Sequence, residues 1–128
     1  MPATQISDVM QPAPTSVPGS TTVRAAAEVL VLGEIGSVVV RHHGAMSGLV
    51  TERDIVRALA EGEDPDELRV EDLMTLDLET VAPDTTVEEA AQVMIDGGIR
   101  HLPVVDDGVV VGVVSIRDVL ANHRAASV

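Results

Sequence analysis

Thr21-Thr22-Val23-Arg24-Ala25-Ala26-Ala27 and Thr85-Thr86-Val87-Glu88-Glu89-Ala90-Ala91 stand 64 positions apart. Sliding the sequence by that distance lays residues 8–56 over 72–120 without a gap, and 17 of the 49 pairs are identical. Outward from the quoted stretch the matches include Met10/Met74, Gly33/Gly97, Gly44/Gly108, Gly48/Gly112 and Arg53-Asp54/Arg117-Asp118. A repeat of fixed period decides architecture before any single element does. Two copies point to a pseudo-twofold pair sharing one core, not to a solenoid.

Each copy reads as β-α-β-β-α. An Asp-x-Met turn comes first, at Ser7-Asp8-Val9-Met10 and Glu71-Asp72-Leu73-Met74, and a short extended piece follows near 15–17 and 79–81. Helical spacing then sets Val23, Ala26, Ala27 and Leu30 on one stripe and Val87, Ala90, Ala91 and Met94 on its counterpart. Thr86 with Glu89 has the spacing of a capping box, and Gly33 and Gly97 stand where a helix would stop. Two valine-rich runs meet at Asp106-Asp107-Gly108, a strong hairpin signal, and at His42-His43-Gly44 in the first copy. The runs lack alternation, which suggests strands buried on both faces. A second helix begins at Thr51 or Ser115, and residues from Arg124 onward are expected to fray. The fold class is therefore α/β (α+β), with two pseudo-symmetric units packed as a pair. The boundaries are 1–62 for the first motif, 63–69 for an acidic connector and 70–128 for the second motif.

Composition narrows the function. At 128 residues the chain is one compact domain's worth, and each half alone would bury little. A formal net charge of −13, with arginine as the sole Lys/Arg-type cation, argues against general nucleic-acid binding. It leaves room for a small anion beside local arginines, because screening acts over about 8 Å. With no Phe, Tyr or Trp, a flat ligand must lie between aliphatic side chains, and base-stacking platforms are disfavoured. The absence of cysteine removes disulfides and a thiolate nucleophile. No apolar run reaches 18 residues and the first residues lack a secretory pattern, so no membrane span and a cytoplasmic location are expected.

Chemistry-bearing residues cluster at the second helix of each copy. In Thr51-x-x-Asp54 and Ser115-x-x-Asp118, a hydroxyl at a helix start suits a phosphate. A carboxylate three residues on could accept both hydrogen bonds of a ribose diol. The same spacing is also that of a plain capping box. Arg53 and Arg117 could meet a phosphate or pair with an acid. His42-His43 are adjacent at a turn, with no obvious third metal ligand, and Met10, Met46, Met74 and Met94 read as core filler. No nucleophile–base constellation or P-loop spacing is present, so no intrinsic catalysis is expected.

Ile99-Arg100-His101-Leu102-Pro103-Val104-Val105-Asp106, followed by Val111-Gly112-Val113-Val114-Ser115-Ile116-Arg117-Asp118-Val119-Leu120, resembles the cystathionine β-synthase (CBS) domain. The first copy keeps Ser47-Gly48-Leu49-Val50-Thr51-Glu52-Arg53-Asp54-Ile55-Val56 but has Gly36-Ser37 where Arg100-His101 stands. The tandem arrangement resembles a stand-alone CBS pair, or Bateman module. That resemblance implies a regulatory module for adenosine-type compounds: AMP, ADP, ATP, NAD or S-adenosylmethionine. The ligand would lie in clefts between the motifs, with no required cofactor and no metal. The implied nucleotide-binding residues are Thr51, Asp54, Ser115, Asp118, Arg100, His101, Arg53, Arg117, Gly36, Ser37, Val17 and Val81. A homodimer and a regulated protein of unknown identity are the implied partners, with neither nucleic acid nor membrane. A ligand-free dimerisation or docking scaffold is the competing expectation.

Overall fold

The computed structural model describes residues 4–76 and 78–126, and side chains as far as Asn122. A 3₁₀ turn at Ile6–Asp8 opens the described chain. In order there follow β1 (Gln11–Pro12), β2 (Ser16–Pro18), α1 (Val23–Gly33), β3 (Ser37–His42), β4 (Ala45–Thr51), α2 (Glu52–Ala60) and α3 (Val70–Leu73). Then come α4 (Val87–Gly97), β5 (His101–Asp106), β6 (Val109–Ser115) and α5 (Ile116–Ala126). The chain forms two compact units, a continuous one over 15–78 and a split one that joins 1–14 to 79–128.

The continuous unit has strand order β2-β3-β4, with β2 parallel to β3 and β3 antiparallel to β4. The stripe Val23, Ala26 and Leu30 of α1 is buried against Val17, Val38, Val40 and Val50 of the sheet and Ile55 of α2. The split unit repeats this with order β1-β6-β5, and Val87, Ala90 and Met94 of α4 are buried with Leu102, Val104, Val114 and Val119. Each unit thus has its own apolar core, where a single shared core was expected. The strands are buried on both faces as the valine runs suggest, since Val39, Leu49, Pro103 and Val113 are buried beside their neighbours.

What closes each core is a lead-in segment that belongs to the other copy of the repeat. Ile6 N–H donates to Thr85 O at 2.8 Å, and Val70 N–H donates to Thr21 O at 2.9 Å. Ile6 and Val70 are both fully buried, which stabilises each unit by roughly 1.5–3 kcal/mol per side chain. Gln11 pairs with Val113 on the edge of β6, and Thr75 bridges Leu49 on the edge of β4. Two glycines make room for the methionines that follow. A Cβ on Gly112 would lie 2.5 Å from Met10 Sδ and 2.9 Å from Gln11 O. One on Gly48 would lie 2.7 Å from Met74 Sδ and 2.9 Å from Thr75 O. Met10, Met74 and Met94 are accordingly core filler. The compact units differ from the two copies of the repeat because the lead-ins 5–12 and 70–75 are exchanged.

Local chemistry explains the element ends. Thr22 and Thr86 accept from the amides of Ala25 and Glu89, each at 3.1 Å. Glu89 also accepts from the Thr86 amide and hydroxyl, which holds its carboxyl below the usual range. Helices α1 and α4 end on a left-handed residue one place later than the glycines suggested, at Glu34 (φ 52°) and Gly98 (φ 62°). Both hairpins turn through two positive φ values, at His43-Gly44 and Asp107-Gly108, as a two-residue turn of this hand requires. Each hairpin has an irregular register at the same place, after Val40 and after Val104.

One expectation is corrected. The extended piece at 79–81 reduces to one parallel bridge, Val81 to Val104. Helix α5 is assigned as far as Ala126, and 127–128 lie outside the described residues. The acidic connector packs on the start of α1. Pro65 O and Leu68 O accept the Arg24 and Val23 amides at the start of α1. Arg24 Nε and Nη2 donate to the two carboxylate oxygens of Asp66 at 2.5 and 3.0 Å, holding the Asp66 carboxyl below its usual range.

Candidate functional site

The β3–β4 register places Ser37 opposite Thr51, and the β5–β6 register places His101 opposite Ser115. The first strand of each hairpin therefore begins where the second strand hands over to its helix. A backbone bond fixes the junction: Glu52 N–H donates to Gly36 O at 3.0 Å, and Ile116 N–H donates to Arg100 O at 2.7 Å. Sequence positions some 15 residues apart are thereby brought together in each unit. Gly36 and Ser37 stand beside Thr51 and Glu52, at the start of the helix that carries Arg53 and Asp54, and Arg100 and His101 stand beside Ser115 and Ile116, at the start of the helix that carries Arg117 and Asp118.

The hydroxyl–carboxylate pairs form complete caps. In the continuous unit Asp54 N–H donates to Thr51 Oγ1 at 3.3 Å, and Thr51 N–H donates to Asp54 Oδ2 at 2.9 Å. In the split unit Asp118 N–H donates to Ser115 Oγ at 3.2 Å, while the Ser115 amide and hydroxyl donate to Asp118 Oδ2 at 3.0 and 2.9 Å. The plain capping reading of Ser/Thr-x-x-Asp is therefore realised in both units. It does not exhaust the carboxylates. Asp54 and Asp118 are half-buried, and Oδ1 of each accepts no hydrogen bond among the described residues. The cap fixes the carboxylate's position through Oδ2 and leaves Oδ1 to accept from something else.

Cationic groups differ between the junctions. Arg53, Arg100 and Arg117 are exposed and have no ion pair among the described residues. His101 is half-buried. The junction at Ser115 thus carries two arginines and a histidine, and the junction at Thr51 carries one arginine. Val17 and Val81 do not join these groups as open lining. Their side chains are buried in the cores of their own units. The carbonyls of Gly36 and Arg100, which anchor the helix starts, went unnoticed in the sequence because a backbone acceptor leaves no residue-type signal. His42 and His43 are exposed at their turn with ring centroids 4.2 Å apart. Among the described residues no three His, Cys, Asp or Glu side chains cluster to hold a metal, and no helix is long and apolar enough to cross a membrane.

The chain has known relatives. The model of the CBS domain family matches residues 6–61 and 70–124. The mitochondrial CBS domain-containing protein CBSX3 of Arabidopsis thaliana is 38% identical over 131 residues, covering 92% of this chain and 64% of that protein. A Methanopyrus kandleri protein is 41% identical over 109 residues, covering 83% of this chain and 55% of the relative. The chain thus spans roughly half to two thirds of the length of these two curated relatives. Among solved structures, a CBS-domain containing protein of Agrobacterium tumefaciens superposes with a TM-score of 0.88 at 30% identity, covering 94% of each chain. A CBS domain pair solved in complex with 5′-methylthioadenosine and S-adenosyl-L-methionine superposes with a TM-score of 0.88 at 28% identity, covering 98% of this chain and 99% of that one. The twice-read repeat, the paired β-α-β-β-α units and these matches place the chain in the CBS domain family, as a tandem pair.

Proposed function

We propose that the chain is a regulatory module that binds an adenosine-type nucleotide at its two strand–helix junctions and catalyses nothing itself. AMP, ADP and ATP are the first candidates, with NAD and S-adenosylmethionine beside them. The observation that carries this reading is the pair of carboxylates, Asp54 and Asp118. Each is locked by its cap through Oδ2, and among the described residues each keeps Oδ1 unspent beside a strand start. A ribose diol offers two donors to such a group, and hydrogen bonds to a charged acceptor contribute about 1.5–3 kcal/mol. Arg100 and Arg117 supply the positive charge that a phosphate needs. The bound adenosine compounds of a structural neighbour support the same ligand class.

Magnitudes say why the polar groups matter. Burying an adenine of about 150 Å² between aliphatic side chains yields roughly 4 kcal/mol. A micromolar complex needs about 8 kcal/mol, before the cost of association. Ribose and phosphate contacts must supply the difference. Ligand binding then shifts the population of conformations that a regulated protein reads. Exposed apolar side chains on the helices, among them Val31, Leu32, Val56 and Ile95, support a homodimer.

One observation favours the second reading, a ligand-free docking scaffold. Both caps are satisfied without any ligand, and no described buried side-chain N or O lacks a partner. A thermal-shift screen separates the two. An adenosine nucleotide at a hundredfold excess over its dissociation constant stabilises the protein by about 2.7 kcal/mol. No shift with any adenosine compound supports the scaffold instead. The chain has no aromatic residue, so circular dichroism or a dye reports the transition.

A further inference from the structure

The lead-in of the split unit is tethered through a strained hinge. Ala13 has φ 49°, in the left-handed region, without the freedom of a glycine. It also precedes Pro14, and a residue before proline prefers an extended conformation. The strain lies where the chain leaves β1 and passes from the split unit into the continuous one. Short hinges under strain favour exchange of the element they tether.

What holds the lead-in is a pattern, because the molecule displays it twice. Ile6-Ser7-Asp8-Val9-Met10 and Val70-Glu71-Asp72-Leu73-Met74 share the order apolar, x, Asp, apolar, Met. Both make one helical turn. Asp8 accepts from the Gln5 amide at 3.3 Å, and Asp72 accepts from the Arg69 amide at 3.0 Å. Both bury the first residue and set the methionine over a glycine of the last strand. The receiving groove therefore recognises a short peptide of this pattern by its own side chains and strand edge, whatever covalent path delivers it.

We propose that the groove of the split unit also accepts the segment Gln5–Pro12 of a second copy of this chain, so that two copies associate by reciprocal exchange. Each copy's Ile6 and Met10 then complete the other's core. The contacts of the segment with its groove are kept, and Ala13 leaves the left-handed region. The exchange is a mode of association separate from the apolar helix faces that support the homodimer of the proposed function, and it stands or falls without the nucleotide reading.

The cross-strand pair Gln11 and Val113 reports the exchange directly. The chain has no cysteine, so a Gln11→Cys/Val113→Cys variant holds one cysteine on each side. It is unfolded, refolded at low and high concentration, oxidised or joined with a short bismaleimide, and run on a non-reducing denaturing gel. Exchange gives a covalent dimer whose share grows with concentration. Ala13→Val, which a β-branched side chain makes costly at positive φ, increases that share. Ala13→Gly relieves the strain in each of the two closed chains that make a dimer and weakens the exchanged dimer about thirtyfold. Bonds within single chains at every concentration overturn the proposal even if sedimentation finds a dimer. So does a covalent dimer indifferent to both Ala13 substitutions.

Discussion

The two strand–helix junctions share a backbone and differ in charge. Glu52 N–H on Gly36 O and Ile116 N–H on Arg100 O are the same bond in two units, and the caps at Thr51 and Ser115 have the same form. Around that frame one junction has Gly36 and Ser37 where the other has Arg100 and His101. The carbonyl at position 36 or 100 is indifferent to its side chain, so the scaffold tolerates the change. The difference teaches that the frame positions a carboxylate in both units, while the strength and charge preference of any anion site are set separately by the strand start.

The comparison breaks most visibly at the exchanged lead-ins. Ile6→Ala removes a fully buried side chain and is expected to cost about 2–5 kcal/mol. Hydrogen exchange should then show lost protection in β5 and β6, within 101–115. Loss confined to 37–51 would mean that the lead-in serves its own copy. A smaller effect separates the helix ends. Glu34 holds the left-handed position that Gly98 holds in the other unit, so Glu34→Gly should stabilise the protein by about 1 kcal/mol. Gly98→Glu should cost a similar amount, both read by chemical denaturation.

The smallest effect is a pH dependence with a different origin in each unit. Glu89 is held below its usual range by hydrogen bonds from Thr86, and Asp66 by its bond from Arg24. A lowered carboxyl contributes stability that is present above its unfolded-state value and lost as pH falls through the folded-state value. Both units should therefore loosen as the solution is acidified below the ordinary carboxylate range. Strong salt should abolish the exposed Arg24–Asp66 share by screening and spare the Thr86–Glu89 share. Acid titrations of Asp66→Asn and Glu89→Gln at low and high salt check this. Equal salt sensitivity in the two would remove the distinction.

Much of each unit is legible in the residues. The stripes Val23-Ala26-Leu30 and Val87-Ala90-Met94 mark the buried helix faces, and Gly44 and Gly108 mark the hairpin turns. The pairing of strand start with helix start follows once the hairpin register is known. The exchange of lead-ins is not legible, and the reason is the repeat itself. Both copies keep the methionine and the glycine, so the residue types do not say which methionine sits over which glycine. Only the path of the chain chooses. The left-handed Glu34 is hidden for the opposite reason, since the glycine that marks the position in one copy is missing from the other. At the junctions the candidate residues were legible, but whether their groups were spent on capping was not. That depends on which carboxylate oxygen the backbone uses.

The most direct test of the account is calorimetric titration of an adenosine nucleotide into the wild-type chain, Asp54→Ala and Asp118→Ala, with circular dichroism confirming that each variant is folded. The account predicts that Asp118→Ala weakens binding at least tenfold, the worth of a hydrogen-bonded charge. An affinity unchanged in both variants would contradict it.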